Sequence, residues 1–146
     1  MTTIAFDGTT LAADKRATNS GLIFTVTKLF KVRGHLLAAA GDFDRIQEIV
    51  AWFRAGAEPA QLPAFQKENE GYVGMLIIDK DGGIFKLERG PVPFKIEEKF
   101  YAIGSGRDFA MAAMHLGSNA VDAVKVAGVF DAATGNGVDT LTLEDV

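Results

Sequence analysis

The stretch from Thr2 to Asp14 restricts the possible folds of this chain more than any other. Thr2–Phe6 and Thr9–Asp14 are short runs rich in β-branched, aromatic and small apolar residues, separated by Asp7-Gly8. A two-residue Asp-Gly connection favours a tight I′ turn and predicts a β-hairpin. In that register Thr2 lies opposite Ala13, one residue from Asp14. Turn chemistry alone thus brings the head of the chain near an acid, although a one-residue bulge would change the face that Asp14 uses. Removal of Met1 would leave a threonine whose hydroxyl and free α-amine share one residue, a nucleophile carrying its own base.

Composition narrows the function classes. A length of 146 residues predicts one domain, 1–146, large enough to bury a core. The formal net charge of −4 and the lack of any Lys/Arg cluster argue against nucleic acid as a partner. The absence of cysteine excludes disulfides, thiol catalysis and thiolate metal sites. No apolar run reaches membrane-spanning length, and no basic segment followed by an apolar one opens the chain. The expected setting is the cytoplasm, away from membranes.

Further along, residues 21–32 predict one or two strands that include Lys28, and Gly34 turns the chain into a strand over His35–Ala40. Ile46, Ile49, Val50 and Phe53 fall at helical spacing and predict an amphipathic helix, capped by Asp42 or Asp44 and ended by Gly56. Residues 57–71 read as a polar connection. Tyr72–Asp79 and Gly83–Glu88 form a second predicted hairpin, Gly90-Pro91-Val92-Pro93 breaks the pattern, and 95–99 reads as a solvated strand or loop. Lys99–Ile103 is a further strand, closed by Gly104-Ser105-Gly106. Arg107–Leu116 is helical and apolar nearly all round, which predicts burial on two sides. A helix over Asn119–Gly128 and a strand over Val138–Leu143 complete the order. Two sheets covered by helices on their outer sides satisfy it, an α+β layered architecture.

Several short pieces then recur in one order: Thr2-Thr3-Ile4-Ala5-Phe6, Leu11 to Thr18, Thr27-Lys28-Leu29, Ala39-Ala40-Gly41, Ile103-Gly104-Ser105-Gly106 and Asp131-Ala132-Ala133-Thr134-Gly135. Together they resemble the proteasome β-type subunits and the related bacterial threonine peptidase that works with an ATP-driven unfoldase, both N-terminal nucleophile hydrolases. The resemblance implies a four-layer αββα sandwich of two antiparallel sheets covered by helices. It implies peptide-bond hydrolysis through Thr2 after Met1 removal, on peptides or unfolded protein, with no cofactor and no metal. It also implies a homo-oligomer of stacked rings, and it leaves an ATP-dependent unfoldase partner open, since the chain is short for the family and peripheral elements that would contact a regulator are trimmed.

The resemblance assigns roles with physical reasons. Thr2 matches the nucleophile, activated by its own amine, whose ordinary pKa of about 8 leaves a neutral fraction near neutral pH. Lys28 matches the lysine whose charge disfavours protonation of that amine and stabilises developing negative charge. Asp14 matches the aspartate that holds this lysine. The backbone N–H groups around Ala40 and Gly41 match the oxyanion hole, with alanine at 40 where the family usually has glycine. Ser105, Asp131 and Thr134 match residues that orient the amine, the last usually serine. Thr18 matches a position whose backbone pairs with an extended substrate. Ala17, Val26, Phe30, Ala39 and Asp42 match the neighbourhood of the specificity pocket and imply a mostly apolar pocket with one acid.

Each piece has a plainer reading when taken alone. Thr-Thr starts a strand, Asp14 and Lys28 form a surface ion pair, Gly104-Ser105-Gly106 is a turn, and Asp131 to Thr134 is a cap or turn. His35 and His115 lack metal-ligand spacing, Trp52 packs a helix, and nothing near Ser105 supports a serine triad. Two rival functions stand beside the peptidase: an N-terminal nucleophile amidase on a small substrate, and a catalytically inactive proteasome-like assembly protein.

Overall fold

Alternation of side chains along the strands builds the molecule from its middle outward. In this computed structural model, which describes residues 2–68 and 71–146, the elements run β1 (Thr3–Phe6), β2 (Thr10–Asp14), β3 (Arg16–Asn19), β4 (Leu22–Thr25), β5 (Leu29–Val32), β6 (His35–Ala40), α1 (Phe43–Arg54), β7 (Gly74–Ile78), β8 (Ile84–Leu87), β9 (Phe94–Ile96), β10 (Tyr101–Gly104), α2 (Arg107–His115), α3 (Ala120–Phe130) and β11 (Val138–Thr142). One antiparallel sheet has the order β10-β1-β2-β11 and the other β5-β6-β7-β8-β9; β3 and β4 form a separate two-stranded sheet. Ile4, Phe6, Leu11 and Ala13 from the first sheet meet Leu36, Ala38, Leu76 and Ile78 from the second in a sealed core. The residues between them face the other way, because strand side chains alternate. Leu37, Ala39, Met75 and Ile77 pack on Ile46, Ile49, Val50 and Phe53 of α1. Ala5, Ala12 and Ala102 pack on Ala110, Met114, Ala120, Ala123 and Val124 of α2 and α3, the small residues letting helix and sheet approach closely. Each large side chain sealed in these layers contributes about 1.5–3 kcal/mol relative to exposure. The layering is the expected αββα sandwich.

Local departures have identifiable causes. The first hairpin turns at Gly8-Thr9 and not at Asp7-Gly8. The Asp7 carboxylate accepts from the Thr9 and Thr10 backbone N–H groups at 3.0 and 2.8 Å, and the Asp7 N–H donates to the Thr10 carbonyl at 3.2 Å. This places Ile4 opposite Ala13. The slip from the predicted register is two residues, so every side chain keeps its face. Lys28 lies in the connection between β4 and β5, outside any strand, and β3 precedes the stretch over 21–32 in which strands are expected. Asp42 does precede α1, but its side chain makes no cap hydrogen bond. The expected burial of the 107–116 helix on two sides does not hold within the chain: only Ala110 and Met114 are buried, while Phe109 is 39% and Leu116 87% exposed. The polar connection after α1 contains two short 3-10 turns and a fully buried Gln66. Its side chain clamps both polar groups of Val73 and the Glu88 carbonyl.

Candidate active site

Asp14 ends β2 at the rim of the sandwich and is almost fully buried. A buried carboxylate needs several partners, and this one has them on both oxygens. Oδ1 accepts from the Thr2 hydroxyl at 2.6 Å, from the Thr3 backbone N–H at 3.0 Å and from Lys28 Nζ at 2.8 Å. Oδ2 accepts from the backbone N–H groups of Arg16 and Gly135 at 3.2 and 3.0 Å. Lys28 Nζ also donates to Thr2 Oγ1. Thr2, Asp14 and Lys28 are therefore a closed triangle, each 4% exposed or less. Burial lowers the Lys28 pKa; the hydrogen bond and negative charge of Asp14 work against that shift.

A second acid stands on the other side of the same threonine. Asp131 follows α3, and its Oδ2 accepts from Ser105 Oγ and Thr134 Oγ1, each at 2.7 Å. Ser105 Oγ also lies 3.3 Å from the Thr2 carbonyl oxygen, and Thr134 Oγ1 lies 2.6 Å from Thr3 Oγ1. Burial raises the Asp131 pKa, but the hydrogen bonds from Ser105, Thr134 and the Ala133 N–H outweigh it and hold the carboxyl below its ordinary value. Gly104 makes this approach possible: its φ is +100°, and a Cβ there would lie 2.1 Å from the Thr2 carbonyl oxygen.

Thr2 and Lys28 open onto a cavity of about 430 Å³. Ala17, Thr18, Phe24 and Val26 of the β3–β4 region line it together with Ala39, Ala40, Gly41 and Asp42. Of the expected pocket residues only Phe30 lies elsewhere. It packs into the core against α1, because residues alternate along β5 and Leu29 already takes the inner face. Ala40 ends β6 opposite Gly74 and has an ordinary negative φ, so alanine fits there without strain. The left-handed residue is Gly41, with φ +143°, and a Cβ on it would press on the Tyr72 carbonyl at 3.3 Å. β3 pairs with β4 alone, so Thr18 lies on a strand with one open edge among the described residues. No group of three or more His, Asp or Glu among the described residues is placed to hold a metal ion.

The site contains residues that sequence patterns do not single out. Thr3 donates its N–H to Asp14, and its hydroxyl bonds Thr134, which in turn bonds Asp131. Arg16 bridges to the Asp131 loop, donating to the Ala132 carbonyl at 2.8 Å and to Asn136 Oδ1 at 3.1 Å. Its position two residues after Asp14 is the one signal in the sequence that could have found it. Tyr72 lines the cavity from the far end of the polar connection, and nothing local marks it. Met1, whose removal the reading of Thr2 requires, lies outside the described residues.

No protein-family model matches the sequence, and no curated protein does. Solved structures do match. Thiobacillus denitrificans BPH in complex with epoxomicin superposes with a TM-score of 0.76 at 21% identity, covering 97% of this chain and 97% of that one. A second structure of T. denitrificans BPH gives 0.72 at 22% identity, covering 97% and 96%. Eukaryotic HslV from Trypanosoma brucei gives 0.66 at 18% identity, covering 96% and 98%. The likeness extends over nearly the whole chain and is a likeness of fold.

Proposed function

We propose that this chain, which has the fold of the proteasome-like N-terminal nucleophile hydrolases, is a threonine peptidase acting through Thr2 once Met1 is removed. One observation carries the reading: the Thr2 hydroxyl is held by both Asp14 and Lys28 at the floor of an open cavity walled by Ala40 and Gly41. The freed Thr2 amine takes the hydroxyl proton as Oγ1 attacks the peptide carbonyl. The Lys28 ammonium stabilises the developing negative charge, and Asp14 keeps that ammonium in place. The backbone N–H groups at Ala40 and Gly41 receive the oxyanion. The tetrahedral species collapses to an ester on Thr2 as the C–N bond breaks and the Thr2 ammonium returns its proton to the leaving amine. Water, deprotonated by the same amine, then hydrolyses the ester. Ser105, Asp131 and Thr134 orient the amine.

The shape of the site favours a peptide over a small amide. The open edge of β3 at Thr18 offers an extended chain a strand to pair with. A second cavity shares Ala40, Gly41 and Tyr72 with the one at Thr2, which gives an extended chain a further place to lie. Assembly into stacked rings belongs to the same reading. Phe109, Val126, Val129 and Phe130 leave an apolar face on α2 and α3, with Phe109 and Phe130 stacked at 5.4 Å. A single domain over 1–146, a cytoplasmic setting, substrates among peptides or unfolded proteins and an unfoldase partner complete it. Among the described residues no helix is long and apolar enough to cross a membrane.

The test uses Met1-free protein, verified by intact mass and separated by size. Peptide hydrolysis should elute well above the 15.6 kDa of one chain. It should be blocked by epoxomicin, the compound bound to T. denitrificans BPH, and fall on the order of 10⁴-fold or more in Thr2→Ala. Wild-type hydrolysis no greater than that of Thr2→Ala ends the proposal; hydrolysis by neither above background leaves the inactive assembly protein in its place.

A further inference from the structure

The second cavity, about 470 Å³, shares Ala40, Gly41 and Tyr72 with the first and lies beyond them, bordered by Gly104 and Ser105. The first cavity holds Thr18 and the β3 edge. Under the proposed function, on which this inference rests, a substrate whose acyl portion pairs along Thr18 must carry the rest of its chain past Thr2. The second cavity has no residue of β3 or β4 in its lining. That cavity is thus placed to hold the residues released with the leaving amine.

Its chemistry differs from that of the first. Lys86, Glu88 and Arg107 line it. Lys86 and Glu88 pair at 2.8 Å, and Lys86 Nζ also lies 5.9 Å from the centre of the Tyr101 ring. Glu88 is thereby largely neutralised by a neighbour inside the cavity. Arg107 is the first residue of α2 and its side chain is 59% exposed. Nη1 donates to the Gly104 carbonyl at 3.0 Å, and Nε stands 3.9 Å from Asp108, whose side chain is 90% exposed and outside the lining. Arg89 stacks its guanidinium on Tyr72, the shared wall, at 5.0 Å. The charged groups of the lining are therefore the Lys86–Glu88 pair and Arg107, which leaves one positive charge in excess.

We infer that this cavity is a leaving-side subsite that selects substrates with a carboxylate just after the scissile bond, read chiefly by Arg107. With Nη1 on the Gly104 carbonyl and Nε beside Asp108, the guanidinium keeps its outer N–H groups for a carboxylate. A lysine side chain in the same place would meet like charge, so discrimination has both an attractive and a repulsive part.

The experiment compares three internally quenched peptides, identical on the acyl side, with Glu, Gln or Lys in the first two positions after the bond, cleaved by Met1-free protein at low salt. The expected order of kcat/KM is Glu, then Gln, then Lys, with about a tenfold spread between the extremes. Arg107→Glu should reverse the order, and raising salt should compress it. Arg107 is exposed, and continued cleavage of the Gln peptide by the variant reports an intact fold. Equal rates for Glu and Lys, or an order unmoved by Arg107→Glu, overturn the subsite while leaving the peptidase standing. Loss of Thr2-dependent cleavage for all three peptides overturns the peptidase reading and the subsite with it.

Discussion

Two aspartates flank Thr2, and the fold treats them differently. Asp14 sits on a strand inside the sandwich, 1% exposed, with both oxygens filled by backbone N–H groups, a hydroxyl and a buried lysine. Asp131 sits in a loop at the surface, and its partners are chiefly two hydroxyls. The first binds the β2 strand, the 26–28 connection and the 134–135 turn into one rigid piece. The second only steers side chains that already stand in place. The contrast separates a residue on which both fold and chemistry depend from one that serves the chemistry alone.

The largest effect should come from Asp14→Ala. It leaves the Lys28 ammonium buried without its counter-charge, a loss of about 3–5 kcal/mol. Urea unfolding should show the midpoint falling accordingly, together with loss of hydrolysis. A drop below about 1 kcal/mol would mean that Lys28 escapes to water, and the contrast between the two acids would fail. Lys28→Met comes next. It removes a cation whose burial is itself unfavourable, and Asp14 keeps its N–H and hydroxyl donors. Stability should change by less than half as much as in Asp14→Ala, while kcat falls on the order of 10³-fold. Combined with Asp14→Ala, it should be strongly non-additive in stability.

Asp131→Asn should have the smallest effect: about a tenfold lower kcat, equivalent to about 1.4 kcal/mol of barrier, with a small but measurable drop in melting temperature at neutral pH. The sign of its pH dependence follows from its lowered folded-state pKa. The native state binds fewer protons than the unfolded one, so the carboxylate's contribution is complete above its unfolded value and is lost as pH falls through the folded one. The melting difference between wild type and Asp131→Asn should therefore close below about pH 4. A gap that widens on acidification would show that another group dominates.

How much of this was legible follows the range of each interaction. The α1 stripe is a matter of 3.6-residue spacing, and the structure buries Ile46, Ile49, Val50 and Phe53 together as that spacing requires. The β1–β2 pairing was legible to within two residues; the error came from Asp7, whose side chain takes the turn's N–H groups and displaces the loop by one position at each end. Phe30 does not itself line the cavity but packs behind it, on the cluster that holds Ala39 and Ile46; alternation along β5 does not say which face meets α1. The outer face of α2 was misread because apolarity does not distinguish a surface covered by the same chain from one left open. Gln66 and Tyr72 had no signal, since a buried amide clamp and a cavity wall look like ordinary loop residues until the loop is folded.

Local spacing and residue chemistry, written in the sequence, determined where strands and helices form and supplied a threonine, two acids, a lysine and two hydroxyls. What only the tertiary structure decided is that these groups meet. Thr2, Asp14 and Lys28 converge with Ser105, Asp131 and Thr134 because β1 lies between β2 and β10, which brings the end of β10 and the loop after α3 to the head of the chain. Distances of a few ångströms between residues more than a hundred positions apart arise from sheet order and helix packing, which sum over every element at once and leave no trace in any single window of sequence.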